Sequence, residues 1–394
     1  MAPNLETTEA HELPAKSSSA SFSPKVDLNA LIELAVRGLI PMFDQKNQMF
    51  CHSRVLTPGG MELQGLSPRY TIMTLMGFHE LEKAGGTSPF RIDEIHDRLL
   101  RDNAWPTLAG DFGLLIWLTA LRAPQKLQQI FSRFDLSSVF ERFADLREGR
   151  TMETAWLLTG LSHAAIAAPT KLPEISKVAE QAYRLLVGNQ GKGGFFGHLN
   201  RKSTASGKLR GWLGSFADQV YPTIAFTWYG QAFQSKEALQ RAIECGKGIC
   251  RVQGPLGQWW WHYDSREGRV ASMYPVFSVH QEAMGPMALF PLGLAAGIDF
   301  RHEIYRGLQW ISDANETKKE MRDFEHNLVW RCVHPDPELS MKMDVLLSHL
   351  HIYRNASARK MTVRRECRPY ELGWLLFAFA GEAKSKNNGA RAKS

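Results

Sequence analysis

The feature that most constrains the fold is a regular alternation between two kinds of helical segment. One kind is amphipathic, with charged residues on one side, which is typical of a helix on a protein surface. The other kind is apolar nearly all round, which indicates a helix buried on every side. The amphipathic segments are 28–43, 91–102, 136–147, 172–190, 236–253 and 300–314, and the apolar segments are 69–84, 111–121, 152–167, 218–233, 279–296 and 370–380.

The two kinds follow one another six times, and the simplest packing of that order is two concentric rings. Six buried helices would form an inner barrel and six amphipathic helices would surround it, so we predict an all-α fold of the (α/α)6 toroid class. Strand-like alternation is scarce. A two-domain helical bundle is the alternative, but no linker rich in Pro, Gly or Ser divides the middle of the chain. We therefore expect one domain over 27–382, with a long insertion at 315–369.

Composition and charge indicate the nature of the terminal segments and limit the possible binding partners. Residues 1–26 are rich in Ser, Thr, Pro, Ala and Glu and are predicted to be disordered, as is the basic tail 383–394. The net charge of +7 is a mild bias that does not indicate a nucleic-acid partner. No apolar run reaches the roughly 18 residues of a membrane span, which leaves peripheral membrane contact open. The five cysteines form no C-x-x-C pair, so we expect reduced thiols and a cytoplasmic location. The oligomeric state is left undetermined.

An internal repeat supports the ring. The sequence QGKGGFF at 190–196 follows the fourth amphipathic segment, and QGPLGQW at 253–259 follows the fifth. Both match the pattern Q-x-x-x-G-x-aromatic. The Gln side chain can cap the helix end, the Gly permits the turn, and the aromatic ring pins the turn to the next helix pair.

This pattern resembles the QW repeat of the terpenoid cyclase and protein prenyltransferase toroid superfamily, over two of the six helix pairs. The resemblance implies an α/α toroid enzyme that binds an isoprenoid or other largely apolar substrate in an aromatic-lined central cavity. The D-x-D-D and D-D-x-x-D motifs of the cyclases are absent, and Asp218, Cys250 and His280 do not have the spacing of the prenyltransferase zinc ligands. No catalytic residue is carried over and no cofactor is predicted, while a divalent metal has no support from ligand spacing.

In such a barrel the first turns of all inner helices gather at one end, beneath the loops 191–217, 254–278 and 315–369. Carboxylates crowded in a poorly hydrated pocket have shifted pKa values and can transfer protons. Helix capping is the alternative for the acids. The first-turn residues are Arg69, Tyr70, Asp111, Glu153, Asp218, His280, Glu282 and Glu371.

The longest aromatic loops lead into Asp218 and into the His280–Glu282 pair, so we predict these three residues, with Tyr221, to be catalytic. The other first-turn residues in the predicted site are substrate-binding candidates: Arg69, Tyr70, Asp111 and Glu153.

The segment 258–287 is the richest in aromatic residues. Trp259 belongs to the repeat, whereas Trp260 and Trp261 either line the cavity or staple the barrel. Flat aromatic faces bind apolar polyenes, stabilise carbocations or stack on sugar rings. We predict that Asp264 is catalytic and that the substrate-binding residues of the segment are Trp260, Trp261, His262, Tyr263 and Tyr274.

Arg364 and Arg365 belong to a basic run before the sixth apolar segment. Arginine binds diphosphates and carboxylates bidentately, so these residues can clamp a substrate. A solvated basic loop is the alternative.

Three functions follow from these patterns. The main hypothesis is the isoprenoid enzyme that the repeat implies. The second is a carbohydrate-active toroid, a polysaccharide lyase, epimerase or glycosidase acting on an acidic glycan, for which stacking tryptophans, Tyr and His bases and the basic loop are suited. A carboxylate pair would favour hydrolysis, and a Tyr–His–Arg cluster without one would favour elimination or epimerisation. The third is a non-catalytic binding or scaffold protein.

Overall fold

Two kinds of helix alternate along the chain, as predicted. A computed structural model describes residues 26–102, 104–200, 211–338, 343, 347 and 360–391. In chain order, the helices of these residues are α1 (Leu28–Leu39), α2 (Pro68–Lys83), α3 (Ile92–Arg101), α4 (Ala109–Arg122), α5 (Leu127–Arg133), α6 (Val139–Arg142), α7 (Ala144–Glu148), α8 (Thr151–Ala167), α9 (Leu172–Asn189), α10 (Ala217–Ala232), α11 (Lys236–Arg251), α12 (Gly285–Ala296), α13 (Arg301–Trp310) and α14 (Pro369–Arg391).

The inner ring consists of α2, α4, α8, α10, α12 and α14, and each packs on the next around a closed barrel. A π-helical turn, His280–Met284, leads directly into α12. The outer layer contains α1, α3, α9, α11 and α13, with the short helices α5 to α7 in the third outer position. The predicted (α/α)6 toroid is therefore confirmed.

The third outer position differs from the single helix predicted over 136–147. The chain there forms a 3-10 turn at Leu136–Ser138 and then α6 and α7, which are separated by extended backbone at Phe143. Phe143 is buried and its ring lies 5.9 Å from that of Phe112 on α4. Tertiary packing of this ring interrupts the helix that the local pattern favours.

Glycines allow the inner helices to approach closely enough to close the ring. A Cβ added at Gly77 of α2 would lie 2.1 Å from the carbonyl oxygen of Gly373 on α14. One added at Gly160 of α8 would lie 2.2 Å from the carbonyl oxygen of Gly113 on α4. Because side chains are absent at these crossings, the first and last inner helices meet directly.

Short strands occupy connections that lead into inner helices. They were missed from the sequence because most have two to four residues, too few to show alternation. They are β1 (Phe43–Asp44), β2 (Met49–Thr57), β3 (Gly60–Leu66), β4 (Leu213–Ser215), β5 (His262–Asp264), β6 (Arg269–Ser272), β7 (Val276–Phe277), β8 (Arg322–Asp323), β9 (Leu328–Val329), β10 (Cys332–Pro335), β11 (Met361–Arg364) and β12 (Glu366–Cys367).

All the strand pairs in these sheets are antiparallel, and they connect distant parts of the chain. β2 pairs with β1, β3 and β12, so the start of the toroid is joined to the segment before its last helix. β5 lies between β4 and β6, while β10 lies between β7 and β11. The pairing of Cys332 with Phe277 brings Arg331 to the end of the barrel where the inner helices begin.

Aromatic packing fills the interior of the barrel away from that end. The rings of Trp117 and His163 stack 5.4 Å apart, and Trp228 lies 4.2 Å from His163. Trp374 and Phe377 of α14 close the same cluster. These aromatic rings pack against one another inside the barrel.

The described part of the chain begins just before α1 and ends with α14. The last helix continues to Arg391, beyond the predicted end of the toroid at 382, while 1–25 and 392–394 lie outside the described residues. Within the described ranges, none of the helices is both long enough and apolar enough to cross a membrane. All five cysteines are free thiols.

Candidate active site

A cavity of about 220 Å³ lies at the end of the barrel where the inner helices begin. Aromatic rings form much of its wall, and two guanidinium groups face it. Its lining consists of Arg69, Tyr70, Met73, Met152, Trp156, Ser215, Ala217, Tyr221, Trp261, Phe277, Val279, His280, Met284, Arg331 and Tyr370. The sequence had singled out five of these as site residues: Arg69, Tyr70, Tyr221, Trp261 and His280.

One wall of the cavity carries an ion pair between two inner helices. Nε of Arg69, in the first turn of α2, donates a hydrogen bond to Oδ1 of Asp111, in the first turn of α4, over 2.6 Å. The Arg69 guanidinium also lies 5.3 Å from the ring centre of Trp156 on α8. Asp111 is buried and does not touch the cavity surface itself. Its role at this position is to fix the orientation of Arg69.

Glu153 is buried against α4, interacts electrostatically with Arg69 and, like Asp111, is absent from the residues that line the cavity. A Cβ added at Gly110 of α4 would lie 3.2 Å from Cγ of Glu153, so the side chain occupies space that the glycine leaves open. Burial raises the pKa of Glu153, the negative charge of Asp218 adds to this effect, and Arg69 opposes it. Oε2 of Glu153 has no hydrogen-bond partner among the described residues. The pKa of Glu153 is therefore shifted in the direction that a general acid needs.

Asp218, at the start of α10, is fully buried and is held by one of its oxygens. Its Oδ2 accepts hydrogen bonds from the backbone N–H (2.8 Å) and from Oγ (2.9 Å) of Ser215, and it lies 3.1 Å from Nδ1 of His198. The charge of Asp218 raises the pKa of His198 above its ordinary value. Ser215 lines the cavity, whereas Asp218 lies behind it.

His198 was not predicted as a site residue. It follows Phe196, the aromatic residue of the first repeat, by two positions. The only sequence signal was therefore its place just after a turn that returns the chain to the barrel. Its pairing with Asp218 depends on the fold.

The opposite wall is built around Arg331, which sequence analysis also missed. Its guanidinium pairs with Glu371, in the first turn of α14, and lies 5.1 Å from the ring centre of Phe277. Oε2 of Glu371 accepts a hydrogen bond from the backbone N–H of Arg368 over 3.0 Å, as expected of an acid that caps a helix. The side chain of Arg368 in turn donates to the hydroxyl of Tyr70 over 3.0 Å. Arg331 is thus rigidly presented to the cavity.

His280 and Tyr221 line the cavity as neutral groups. Burial lowers the pKa of His280 to about 3, and its Nδ1 has no partner among the described residues. Burial also raises the pKa of Tyr221, whose hydroxyl accepts a hydrogen bond from Nε1 of Trp374 over 3.0 Å. Neither group is charged at neutral pH.

The aromatic segment 258–287 divides between cavity and core. Trp261 lines the cavity, and the ring of His262 lies 4.0 Å from it. Trp260 is buried instead, where its Nε1 donates to the carbonyl of Val252 over 2.9 Å. Tyr263 is fully buried and its hydroxyl accepts from the backbone N–H of Trp260 over 3.1 Å. Trp261 is therefore the tryptophan of this stretch that reaches the cavity, whereas hydrogen bonds hold Trp260 and Tyr263 in the core.

Several other predicted site residues lie outside the cavity lining. His262 bonds through Nδ1 to Ser272 at 2.8 Å, across the β5–β6 pair. Oδ1 of Asp264 accepts from the backbone of Arg266 over 2.8 Å and so stabilises the turn after β5. The hydroxyl of Tyr274 donates to Glu316 over 3.1 Å. The structure thus engages His262 and Asp264 within the β5–β6 hairpin, and Tyr274 with a carboxylate 42 positions further along the chain.

Glu282, Arg364 and Arg365 are also absent from the lining. Glu282 is fully buried two residues after His280, and side chains two positions apart on a helical turn do not face the same way. Arg364, in β11, pairs with Glu338. Arg365 is exposed and lies 5.9 Å from the ring centre of Trp330. The predicted clamp at the end of the basic run is therefore not formed at this cavity.

Among the described residues, one group of side chains has the proximity needed to hold a metal ion. It comprises Asp323, Glu325 and His326, around the turn between β8 and β9, with ligand atoms within 4.8 Å of one another. None of the three lines the cavity. The candidate chemistry of the cavity is therefore sought in the cations and aromatic rings of its lining and in the buried carboxylates behind them.

Neither a protein-family model nor a curated protein matches this sequence. Solved structures resemble the fold. A structure from Klebsiella pneumoniae subsp. pneumoniae, described as a possible member of the GH105 family, has a TM-score of 0.59 at 10% identity and covers 98% of this chain and 100% of its own. One from Salmonella enterica subsp. enterica serovar Paratyphi A, described in the same words, has a TM-score of 0.59 at 12% identity and covers 95% and 100%.

A third neighbour is the unsaturated glucuronyl hydrolase of Bacillus sp. GL1, described as responsible for the degradation of glycosaminoglycan. Its TM-score is 0.54 at 11% identity, and the match covers 92% of this chain and 96% of that one. At such identities the likeness establishes a shared fold.

The inferred resemblance to terpenoid cyclases and prenyltransferases was wrong, and the isoprenoid function falls with it. The structural neighbours are (α/α)6 glycosidases. The repeat has a purely architectural explanation: Nε2 of Gln253 donates to the carbonyls of Gly257 and of Glu303 on the next outer helix, both over 2.9 Å. Gln190 makes the equivalent pair of bonds. Such a turn joins one helix pair to the next, whatever reaction the toroid performs.

Proposed function

We propose that the protein is a carbohydrate-active enzyme that removes one terminal acidic sugar from an oligosaccharide by hydrolysis. The observation that carries the proposal is the carboxyl group of Glu153, which is buried, has a raised pKa and interacts electrostatically with Arg69 of the Arg69–Asp111 ion pair. A protonated carboxyl group near a second carboxylate is the combination that glycoside hydrolysis requires.

The dimensions of the cavity support a single sugar ring as the bound unit. Its volume of about 220 Å³ is below the roughly 300–1,000 Å³ of pockets that enclose drug-sized ligands. The indole side chains of Trp156 and Trp261 line the cavity, and aromatic rings of this kind can pack against a pyranose ring. The filled barrel interior stops a longer chain from passing through, so the bound sugar is a chain end.

The cations of the cavity support an acidic sugar. Arg69 uses Nε for Asp111 and Arg331 uses Nη1 for Glu371, and both residues line the cavity. Guanidinium groups bind carboxylates through two parallel hydrogen bonds. Two of the structural neighbours are described as unsaturated glucuronyl hydrolases, whose names specify a sugar of this charge.

In the proposed reaction, Glu153 donates its proton to the glycosidic oxygen as the bond from that oxygen to the anomeric carbon breaks. Water supplies the hydroxyl group that the anomeric carbon acquires. Asp111, held by Arg69 behind the cavity wall, is the second carboxylate, and its charge stabilises through space the positive charge that develops on the sugar ring. Trp156 and Met152 lie on the same turn of α8 as Glu153 and keep bulk water away from its carboxyl group.

The proposal is tested with purified protein and a panel of neutral and acidic oligosaccharides, including chains that end in an unsaturated uronate. We expect mass spectrometry to detect one released acidic sugar and the gain of one water. Glu153→Gln should lower the rate by about 10²–10⁴-fold, the usual contribution of a general acid. Glu244→Gln, at an exposed position on α11, is the matched control and should retain full activity. Absence of release from every acidic chain would overturn the proposal.

Elimination or epimerisation is a second candidate, because the titratable groups that touch the cavity directly include tyrosine, histidine and arginine. The high pKa of Tyr221 and the low pKa of His280, about 3, weigh against it, since the tyrosine keeps its proton and the histidine is a weak base. The same assay separates the candidates. Elimination gives cleavage without the gain of water, and epimerisation leaves the mass unchanged. Binding without any product would support a non-catalytic protein.

A further inference from the structure

Arg69 and Arg331 both line the cavity, but their guanidinium groups are held in different ways. A guanidinium group presents two edges to a carboxylate, one formed by Nε and Nη2 and the other by Nη1 and Nη2. Binding through two parallel hydrogen bonds uses both nitrogens of one edge. The arginine that keeps a complete edge is therefore the one that can bind the carboxylate of an acidic sugar in this way.

Arg69 keeps such an edge. Its Nε donates to Oδ1 of Asp111 over 2.6 Å, whereas Nη1 and Nη2 have no hydrogen-bond partner among the described residues. The guanidinium carbon lies 5.3 Å from the ring centre of Trp156, and the Arg69 side chain is 26% exposed. The ion pair and the ring contact fix the group before a ligand binds, so little ordering remains to be done when a carboxylate arrives.

Neither edge of Arg331 is complete. Its Nη1 donates to Oε1 of Glu371, which takes one nitrogen of the Nη1–Nη2 edge. Its Nε lies 3.7 Å from Oε1 of Glu366, which places a second carboxylate beside the other edge. The guanidinium carbon is 5.1 Å from the ring centre of Phe277, and only 10% of the side chain is exposed. A further carboxylate at Arg331 would be repelled by the two that are already there.

Arg368, the other arginine of this wall, is engaged as well. Its Nε donates to Oε1 of Glu366 over 2.7 Å and its Nη1 donates to the hydroxyl of Tyr70 over 3.0 Å, and it does not line the cavity. We propose that Arg69 is the specificity-determining residue, which selects an acidic sugar by binding its carboxylate through Nη1 and Nη2. Arg331 has the structural role of joining the start of β10 to the start of α14. This inference rests on the proposed acidic substrate.

The test compares the binding of glucuronate with that of glucose, two sugars that differ in one carboxylate. The protein is labelled with ¹⁵N at tryptophan, and binding is measured by NMR from the indole N–H signals, because Trp156 and Trp261 line the cavity. A hydrogen bond between charged groups contributes about 10- to 100-fold in affinity. We expect the unchanged protein to prefer glucuronate by about this factor.

Arg69→Gln should abolish the preference and leave the affinity for glucose unchanged. Arg69→Lys keeps a positive charge without the two-nitrogen edge and should show a weaker preference than the unchanged protein. Arg69→Gln combined with Asp111→Asn leaves no unpaired charge at Asp111 and should bind the two sugars as Arg69→Gln does. Arg91→Gln alters an 82% exposed side chain before α3, and this control should keep the full preference.

A preference that survives in Arg69→Gln would overturn the inference and assign the carboxylate to Arg331. Equal losses for both sugars would also overturn it, because they indicate a damaged cavity rather than a lost carboxylate contact. A full preference in Arg69→Lys would contradict binding through two nitrogens, and the absence of any preference in the unchanged protein would contradict the selection itself.

The inference and the proposed function can fail separately. A preference that depends on Arg69, in a protein that hydrolyses none of the glycans, would support the inference and count against hydrolysis. Release of acidic sugars by Arg69→Gln at the rate of the unchanged protein would refute only the inference.

Discussion

Replacing Gly257 with alanine should destabilise the toroid much more than the same replacement at Gly297. Both glycines have left-handed backbone, with φ of +92° at Gly257 and +67° at Gly297. An added Cβ would lie 2.2 Å from the carbonyl oxygen of Arg306 in the first case and would have no neighbour within 4 Å in the second. Comparing the two variants therefore separates the free-energy cost of left-handed backbone from the cost of the steric overlap between the added Cβ and its neighbours.

The magnitudes follow from this geometry. Left-handed backbone costs a residue with a Cβ about 1 kcal/mol, and this is the whole effect expected at Gly297. At Gly257 the Cβ meets main-chain atoms, which cannot rotate away, so overpacking adds about 1–3 kcal/mol to that cost. The turn that joins α11 to α13 would have to move.

Urea denaturation, followed by tryptophan fluorescence and by circular dichroism, measures both variants against the unchanged protein. We expect a clearly lower midpoint for Gly257→Ala and a small decrease for Gly297→Ala. Equal decreases would refute the argument that the repeat glycine is required by close approach of two outer helices.

Two further results are expected. Trp261→Ala should weaken binding of an acidic oligosaccharide, measured by calorimetry, with little loss of stability. Trp259→Ala removes a fully buried ring stacked on Phe216 and should lower the free energy of unfolding by about 3–5 kcal/mol in the urea assay. The reverse order of effects would contradict the assignment of the two rings. Burial, with the charge of Glu371, raises the pKa of Glu282 well above its ordinary value, so the unfolded chain ionises first and stability falls as the pH rises above about 4.3. The free energy of unfolding of Glu282→Gln minus that of the unchanged protein should therefore be larger at about pH 8 than at about pH 5. For Glu244→Gln this difference should be the same at both pH values.

The positions of residues in the first turns of the inner helices predicted part of the cavity lining. The ring of helix pairs places residues such as Arg69 and Tyr70 at one end of the barrel, and both line the cavity. The roles within that set were not predictable, because they depend on which atoms are buried together. Glu153 became the candidate acid through its proximity to Gly110 and Asp218, which no spacing along the chain indicates.

The residues that were missed lie in connections with irregular local structure. Arg331 reaches the cavity only because β10 pairs with β7, strands far apart in sequence and too short to recognise. His198 acquires its role from contact with Asp218 on the next inner helix. Conversely, Tyr274 and Asp264 are in the expected region, yet Asp264 accepts a hydrogen bond within its own turn and Tyr274 donates one to Glu316, so neither lines the cavity.

The sequence by itself determined the architecture, because the pattern of apolar residues within each segment indicates which helices are buried. Six apolar helices that alternate with six amphipathic ones can be buried together in a double ring. It also determined the repeat turns, since Gln, Gly and an aromatic ring at fixed spacing act within one connection. Tertiary structure alone decided the contents of the central hollow and the ionisation of its acids. Those depend on distances between side chains from different helices, and a charge acts on a neighbouring group through space rather than along the chain.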